Sequence, residues 1–167
     1  MKNVRLVVLL LAAASLPGLV SANEDRGSSN SVFGPLNPLL ADGAAALELG
    51  RADEGIRLTL EGLKLPNAVH ETAAAHANLC GGYAMLQRWD EALAHCNTSI
   101  SLDPNNWRAF NNRAAVFTAR GLYDQAVADV EAGLKLAPQS HTLHKTLEVI
   151  HDNERIARRH ARSGSRA

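Results

Sequence analysis

Residues 107–138 read WRAFNNRAAVFTARGLYDQAVADVEAGLKLAP, and the same pattern occurs 34 residues earlier. A looser third copy fits with a shift of 37 residues, which places Gly43 on Cys80 and Gly62 on Ser99. Tandem copies with a period of about 20 to 50 residues are typical of solenoid folds. The sequence therefore predicts three repeats within residues 35–138, at 36–66, 73–104 and 107–138.

Each copy has the pattern of a helical hairpin. Apolar residues recur at helical spacing in two blocks. A short break separates the blocks, and proline ends the second block because it lacks a backbone donor and restricts the residue before it. The breaks carry Gly50, Gln87 with Arg88, and Gly121, and the prolines are Pro66, Pro104 and Pro138.

Small residues stand where the two helices of a hairpin must approach closely, as at Cys80 opposite Ala92 and Ser99. A single hairpin cannot bury both faces, so the last one needs a cover. Leu143, Leu147 and Ile150 form an apolar stripe after Ser140, a favourable N-cap. We predict a capping helix at 139–160 and a basic flexible tail at 161–167.

These positions resemble the tetratricopeptide repeat (TPR), a 34-residue helix-turn-helix unit. The resemblance implies an all-α fold, a short α-solenoid of three repeats and a capping helix, with a groove that receives a peptide. Residues 36–66 depart from the motif, with Ala46 and Ala52 where an aromatic is usual. The motif is carried by Phe110, Ala114, Phe117, Gly121, Tyr123, Ala126, Gly133 and Pro138, and in the copy before by Leu79, Cys80, Tyr83, Trp89, Ala92, Ser99 and Pro104.

In that family the first helices of successive repeats line the groove. Their residues that are not needed for packing are mostly small, with a few polar groups. An asparagine amide both donates to and accepts from a peptide group, so Asn78 and Asn112 are candidates for ligand contact. The alternative is that the small residues permit packing and the asparagines are solvated. The candidate partner-binding residues are Asn78, Met85, Arg108, Asn111, Asn112 and Thr118.

Some family members hold a C-terminal carboxylate in a clamp of Lys, Asn and Arg. Asn78 and Arg108 match clamp positions, whereas Leu40, Ala44 and Asn112 replace a lysine, an asparagine and an arginine. Losing two cations weakens the attraction for a carboxylate. We therefore do not expect recognition of chaperone tails.

The two cysteines, Cys80 and Cys96, flank the break at Gln87 at similar distances and should lie abreast. If their Cα atoms come within about 7 Å, a disulfide is feasible. Two buried, unbridged thiols are the alternative. Redox catalysis is not indicated, because no Cys-x-x-Cys motif is present.

Composition excludes several function classes. The formal net charge is zero, which argues against nucleic-acid binding.

No catalytic motif or phosphate-binding glycine loop is found, so we expect no enzyme and no cofactor. His144, Glu148 and His151 share a helix face, but the two histidines are about 10 Å apart along the axis, so we expect no metal site.

The N-terminus has the layout of a secretory signal peptide. Lys2 and Arg5 precede an apolar stretch that is too short to span a bilayer. The leader then closes at Ala22 with the small residues that are typical of a signal-peptide cleavage site. We predict a signal peptide at 1–22, a flexible lead-in at 23–34 and no transmembrane segment after cleavage. The expected location is the bacterial periplasm, with secretion as the alternative.

The function predicted from the sequence is a non-catalytic adaptor or assembly factor of the cell envelope, which binds a peptide segment or partner subunit in its groove. The alternative is a structural accessory subunit that docks on a larger envelope complex through its terminal or convex surface. Five arginines between Arg155 and Arg166 also predict weak contact of the tail with an anionic surface.

Overall fold

The computed structural model describes residues 37–164, so the predicted signal peptide and lead-in lie outside the described residues. The described part is all helical, and none of its helices is both long and apolar enough to cross a membrane. In chain order its helices are α1 (Pro38–Glu48), α2 (Ala52–Gly62), α3 (Val69–Met85), α4 (Trp89–Leu102), α5 (Trp107–Ala119), α6 (Tyr123–Leu136) and α7 (His141–Gly164).

The helices form three antiparallel hairpins, α1–α2, α3–α4 and α5–α6, which stack in chain order. Helix α3 packs against α1 and α2, and α5 packs against α3 and α4. Helix α7 packs against α6 and α5, in the place that the first helix of a fourth hairpin would take. The predicted all-α solenoid of three helical hairpins with a terminal helix is confirmed.

The turn inside each hairpin contains one residue with a left-handed backbone. The φ angles are 76° at Gly50, 59° at Gln87 and 74° at Gly121. A helix commonly ends on such a residue, and glycine adopts it without the steric cost that a side chain brings. Gln87 carries that cost in the second hairpin. The three breaks predicted from the sequence coincide with these turns.

The buried apolar residues lie between hairpins as well as within them. One cluster surrounds the fully buried Leu79 and contains Ile56 from α2 and Val116 from α5. A second cluster joins α5 and α6 to Leu143 and Ile150 of α7, which are both fully buried. Burying a side chain of this size contributes about 1.5–3 kcal/mol. Stacking therefore supplies the core that a single hairpin lacks.

Two helices extend beyond the predicted bounds. Helix α3 begins at Val69 because the Glu71 carboxylate accepts a hydrogen bond from the Ala68 backbone N–H at 2.9 Å. Helix α7 continues to Gly164, so residues 161–164 are helical and not part of a flexible tail. An ion pair between Glu154 and Arg158, one turn apart, supports the exposed part of α7.

Two adjacent glycines of α3 give opposite predictions. A Cβ atom on Gly81 would have an ordinary contact with the Asn112 side-chain nitrogen at 3.6 Å, whereas one on Gly82 would lie 2.8 Å from Ile56 Cγ1 and 2.9 Å from Leu47 Cδ2. Gly81→Ala should raise the free energy of unfolding by about 0.5–1 kcal/mol, because alanine favours helix. Gly82→Ala should lower it by about 1–3 kcal/mol through overpacking. Urea unfolding followed by circular dichroism measures both, and changes of the same sign would contradict the packing described.

Candidate partner-binding face

The first helices of the hairpins lie side by side and continue into α7, with contacts from α1 to α3, from α3 to α5 and from α5 to α7. We call the side of these four helices that carries Asn78, Met85, Arg108, Asn111 and Asn112 the first-helix face. It runs the length of the described chain. Its geometry follows from two hydrogen bonds and from the size of the side chains between them.

Two of the predicted contact residues hold neighbouring helices together. The Asn112 side-chain amide donates to the Ala77 carbonyl of α3 at 2.9 Å. The Thr146 hydroxyl of α7 donates to the Asn111 side-chain oxygen of α5 at 2.8 Å. Each bond joins residues 35 apart in the chain, so the same register recurs along the face. Asn111 and Asn112 thus fix the spacing of the helices.

The other predicted residues differ in exposure. Asn78 and Met85 are partly exposed on α3. Arg108 is exposed on α5, and its guanidinium carbon lies 4.5 Å from the centre of the Trp107 ring. Thr118 is only 4% exposed, and its hydroxyl donates to the Ala114 carbonyl of its own helix at 2.7 Å. Burial removes Thr118 from the side chains that can contact a partner.

Small residues occupy the surface between these side chains. Gly81 on α3 and both Ala115 and Ala119 on α5 are partly exposed. A side chain at Gly81 would meet the Asn112 amide nitrogen before any other atom outside its own helix. The face therefore combines a fixed backbone, a few polar side chains and unfilled space, which suits an extended chain better than a small molecule.

Cys80 of α3 and Cys96 of α4 form a disulfide, with their Cα atoms 5.2 Å apart. Both residues are fully buried. The sequence left open a disulfide or two unbridged thiols, and the structure contains the disulfide. The bond closes a loop with a sequence separation of 16 residues and joins the two helices of the second hairpin.

Sequence reasoning did not single out a pair of charged residues in the third hairpin. Arg113 of α5 donates to both carboxylate oxygens of Asp129 in α6, at 2.8 and 2.6 Å. It also donates to the Asn97 side chain of α4 at 2.7 Å. Leu79 occupies the equivalent position 34 residues earlier. An arginine at a repeat position that is otherwise apolar was therefore the signal in the sequence for this ion pair.

The histidines that the sequence placed on one face of α7 are exposed. His144 donates from Nε2 to the Pro138 carbonyl at 2.9 Å, and His151 lies two turns further along the helix. Across residues 37–164, no three His, Cys, Asp or Glu side chains form a group that could hold a metal ion.

Comparison with known proteins identifies the architecture. Residues 73–106, which are most of the second hairpin and the loop after it, match the tetratricopeptide repeat family. The second TPR domain of human RPAP3, solved in complex with an HSP70 peptide, has a TM-score of 0.58 and 26% identity. That alignment covers 68% of this chain and 92% of the domain. The described chain has the TPR fold.

Two further proteins extend the comparison. The first TPR of Spaghetti, bound to an HSP90 peptide, has a TM-score of 0.61 and 23% identity, and the alignment covers 69% of this chain and 91% of that one. Mouse sperm-associated antigen 1 is 33% identical over 79 residues. Those residues are 47% of this chain and only 9% of the mouse protein, so that match concerns one region of a much longer protein.

The disulfide yields a prediction with a matched control. The third hairpin has Ala114 and Val130 in the equivalent positions, so Cys80→Ala combined with Cys96→Val keeps TPR packing while removing the bridge. The double variant should unfold with a free energy about 3 kcal/mol lower, because its unfolded chain is no longer constrained.

Guanidinium unfolding of the oxidised wild type and the double variant, each with and without reductant, measures this difference. Reductant should destabilise the wild type and leave the variant unchanged. A reductant effect of equal size in both proteins would contradict the assignment to this bond.

Proposed function

We propose that this protein is a non-catalytic interaction module that binds a peptide segment or a partner subunit on its first-helix face. The observation that carries the proposal is the continuous side-by-side packing of α1, α3, α5 and α7 in a register fixed by hydrogen bonds. A face held in this way need not be ordered when a ligand binds, which lowers the entropic cost of binding.

Three side chains are the main candidates for ligand contact. Asn78 can donate to and accept from a ligand backbone, Met85 can adapt its flexible side chain to apolar groups, and Arg108 can donate several hydrogen bonds. Gly81 and Ala115 leave room for the ligand backbone between them. Asn111 and Asn112 act as the frame, because each is already bonded to a neighbouring helix.

The ligand is proposed to differ from an acidic chaperone tail. The RPAP3 and Spaghetti domains are solved with chaperone peptides. Here Leu40 and Ala44 stand at two clamp positions, and Asn112, at a third, donates to Ala77. Arg108 alone offers less attraction for a terminal carboxylate than a clamp with several cations.

We also propose that the protein acts in the cell envelope after export to the periplasm, or outside the cell. The leader pattern of residues 1–22 supports export. The Cys80–Cys96 disulfide supports an oxidising compartment, because such bonds are rare in the reducing cytosol. Mass spectrometry of the N-terminal peptide from fractionated cells should find a chain beginning at Asn23, and a chain that retains Met1 would contradict export with cleavage.

The second candidate function is an accessory subunit that docks through the terminal surface. A depression of about 260 Å³ lies between the α5–α6 turn and α7. Tyr123, Asp124 and Arg158 line it, and the apolar Leu122 beside them is 37% exposed. None of the residues that line this depression belongs to the first-helix face, so the two proposals can be separated by experiment.

Site-specific photo-crosslinking in the cells of origin tests the binding face. A photoreactive amino acid replaces Asn78 or Met85 on the first-helix face, Ala94 on the exposed surface of α4, or Gln125 beside the depression. The proposal predicts that one partner is crosslinked from positions 78 and 85 and not from position 94. Crosslinks from position 125 alone would support the accessory role instead.

A steric block provides the matching loss-of-binding measurement. Gly81→Trp fills the space beside Asn112, and Ala94→Trp places the same side chain on the outer surface of the same hairpin. With the crosslinked partner in hand, Gly81→Trp should weaken its binding at least about tenfold, or about 1.4 kcal/mol, while Ala94→Trp leaves Kd unchanged. Equal affinities for both folded variants would rule out the first-helix face.

A further inference from the structure

A pair of histidines joins the two helices of the second hairpin. His76 of α3 and His95 of α4 approach through their Nδ1 atoms, which are 2.9 Å apart. The ring centres are 5.1 Å apart and the ring planes differ by 28°. At this distance one Nδ1 carries a hydrogen and donates it, and the other accepts. The contact therefore needs at least one neutral ring.

The pair lies in the middle of the contacts between α3 and α4. His76 is one turn before Cys80 and His95 directly precedes Cys96, so the disulfide closes the hairpin on one side. On the other side, the Ser99 hydroxyl donates to the Ala73 carbonyl at 2.7 Å. The histidine pair thus connects the cross-linked part of the hairpin to its open end.

The side chains around the pair offer little negative charge to stabilise the state in which both rings are protonated. The His95 ring stacks on Tyr83, with ring centres 5.3 Å apart, and Arg88 covers Tyr83 at 4.7 Å. Glu91, one turn before His95, accepts a hydrogen bond from Arg88 at 2.6 Å, which lowers the pKa of that carboxyl. The charge of Glu91 raises the pKa of His95, but burial and the charge of His76 each lower that pKa by more.

Two charged groups of the neighbouring hairpins have other partners. On α2, the charge of Asp53 acts on Arg88. On α5, Arg113 is bonded to Asp129 and Asn97. Apart from the smaller effect of Glu91 on His95, each charged group named around the pair is engaged with another partner.

We propose that His76 and His95 form a pH-sensitive latch between α3 and α4, which is closed by one shared proton and opened when both rings are protonated. Two imidazolium rings have no acceptor between them and repel each other. Opening the latch separates the N-terminal half of α3 from the C-terminal half of α4. The disulfide limits this loosening to the open end of the hairpin.

The direction of the pH dependence follows from burial. Both rings are half-buried, and desolvation lowers the pKa of each below its usual 6.5, with mutual repulsion lowering that of His95 further. The unfolded chain therefore binds more protons than the folded one below that pH. The stability that the latch contributes is fully present above pH 6.5 and is lost as the pH falls below it.

Nitrogen-detected NMR of the full chain, recorded from about pH 8 to about pH 5, tests the latch directly. His76 and His95 should titrate below pH 6.5 and in two coupled steps, with one Nδ1 protonated and one not at the start. Amide exchange in residues 69–75 should speed up as the second step proceeds. Independent titration of the two rings at ordinary pKa values would overturn the proposal.

Thermal unfolding of variants gives the second test. His76→Phe introduces the residue that the third hairpin has in the equivalent position, Phe110, and His95→Gln removes the other ring. The fall in Tm from about pH 8 to about pH 5 should shrink in either variant to about half the wild-type value or less.

His151→Gln, on the exposed side of α7, is the matched control and should keep the wild-type pH dependence. A His76→Phe protein whose Tm falls with pH as steeply as that of the wild type would overturn the proposal. If neither substituted hairpin folds, the wild-type NMR titration decides.

Discussion

The structure depends on the burial of apolar surface between hairpins. Leu79 is fully buried in a cluster to which the first hairpin contributes Ile56 and the third hairpin contributes Val116. At the end of the stack, Leu143 and Ile150 of α7 take over this role. A chain with few aromatic side chains must bring its helices close together to bury enough surface, and alanine and glycine at the contact positions make this approach feasible.

The second and third hairpins hold their two helices together in different ways, and the two sets of contacts share one equivalent position, that of His95 and Asp129. The second uses the Cys80–Cys96 bond and a histidine pair, whereas the third uses the ion pair of Arg113 with Asp129. Asp129 is 6% exposed, and a carboxylate at this depth is stabilised only by a partner that stays in place. An ion pair therefore joins the two helices of the third hairpin, whereas a covalent bond joins those of the second. Arg113 also reaches Asn97, which extends the contact to the neighbouring hairpin.

The sequence predicted the helical hairpins because their period, small residues, breaks and prolines are local signals. Gly50 and Gly121 indicate their turns, because a left-handed backbone position favours glycine. The 34-residue period, applied backwards from Gly121, locates the second turn at Gln87. The roles of the site residues were harder to predict. An asparagine amide bonds equally well to a ligand or to the next helix, so the sequence could not tell that Asn111 and Asn112 had partners within the fold.

The same two bonds explain why so few side chains remain for recognition. Small residues allow α3 and α5 to approach until Asn112 reaches the Ala77 carbonyl, and the hydrogen bond then keeps that distance. The proposed ligand would meet a surface that is already ordered, so little binding free energy would be lost in rearranging the protein. In the proposed function, specificity then comes from shape and from Asn78, Met85 and Arg108. A face of this kind discriminates by what fits between the helices more than by charge, which favours an extended segment with small side chains as its ligand.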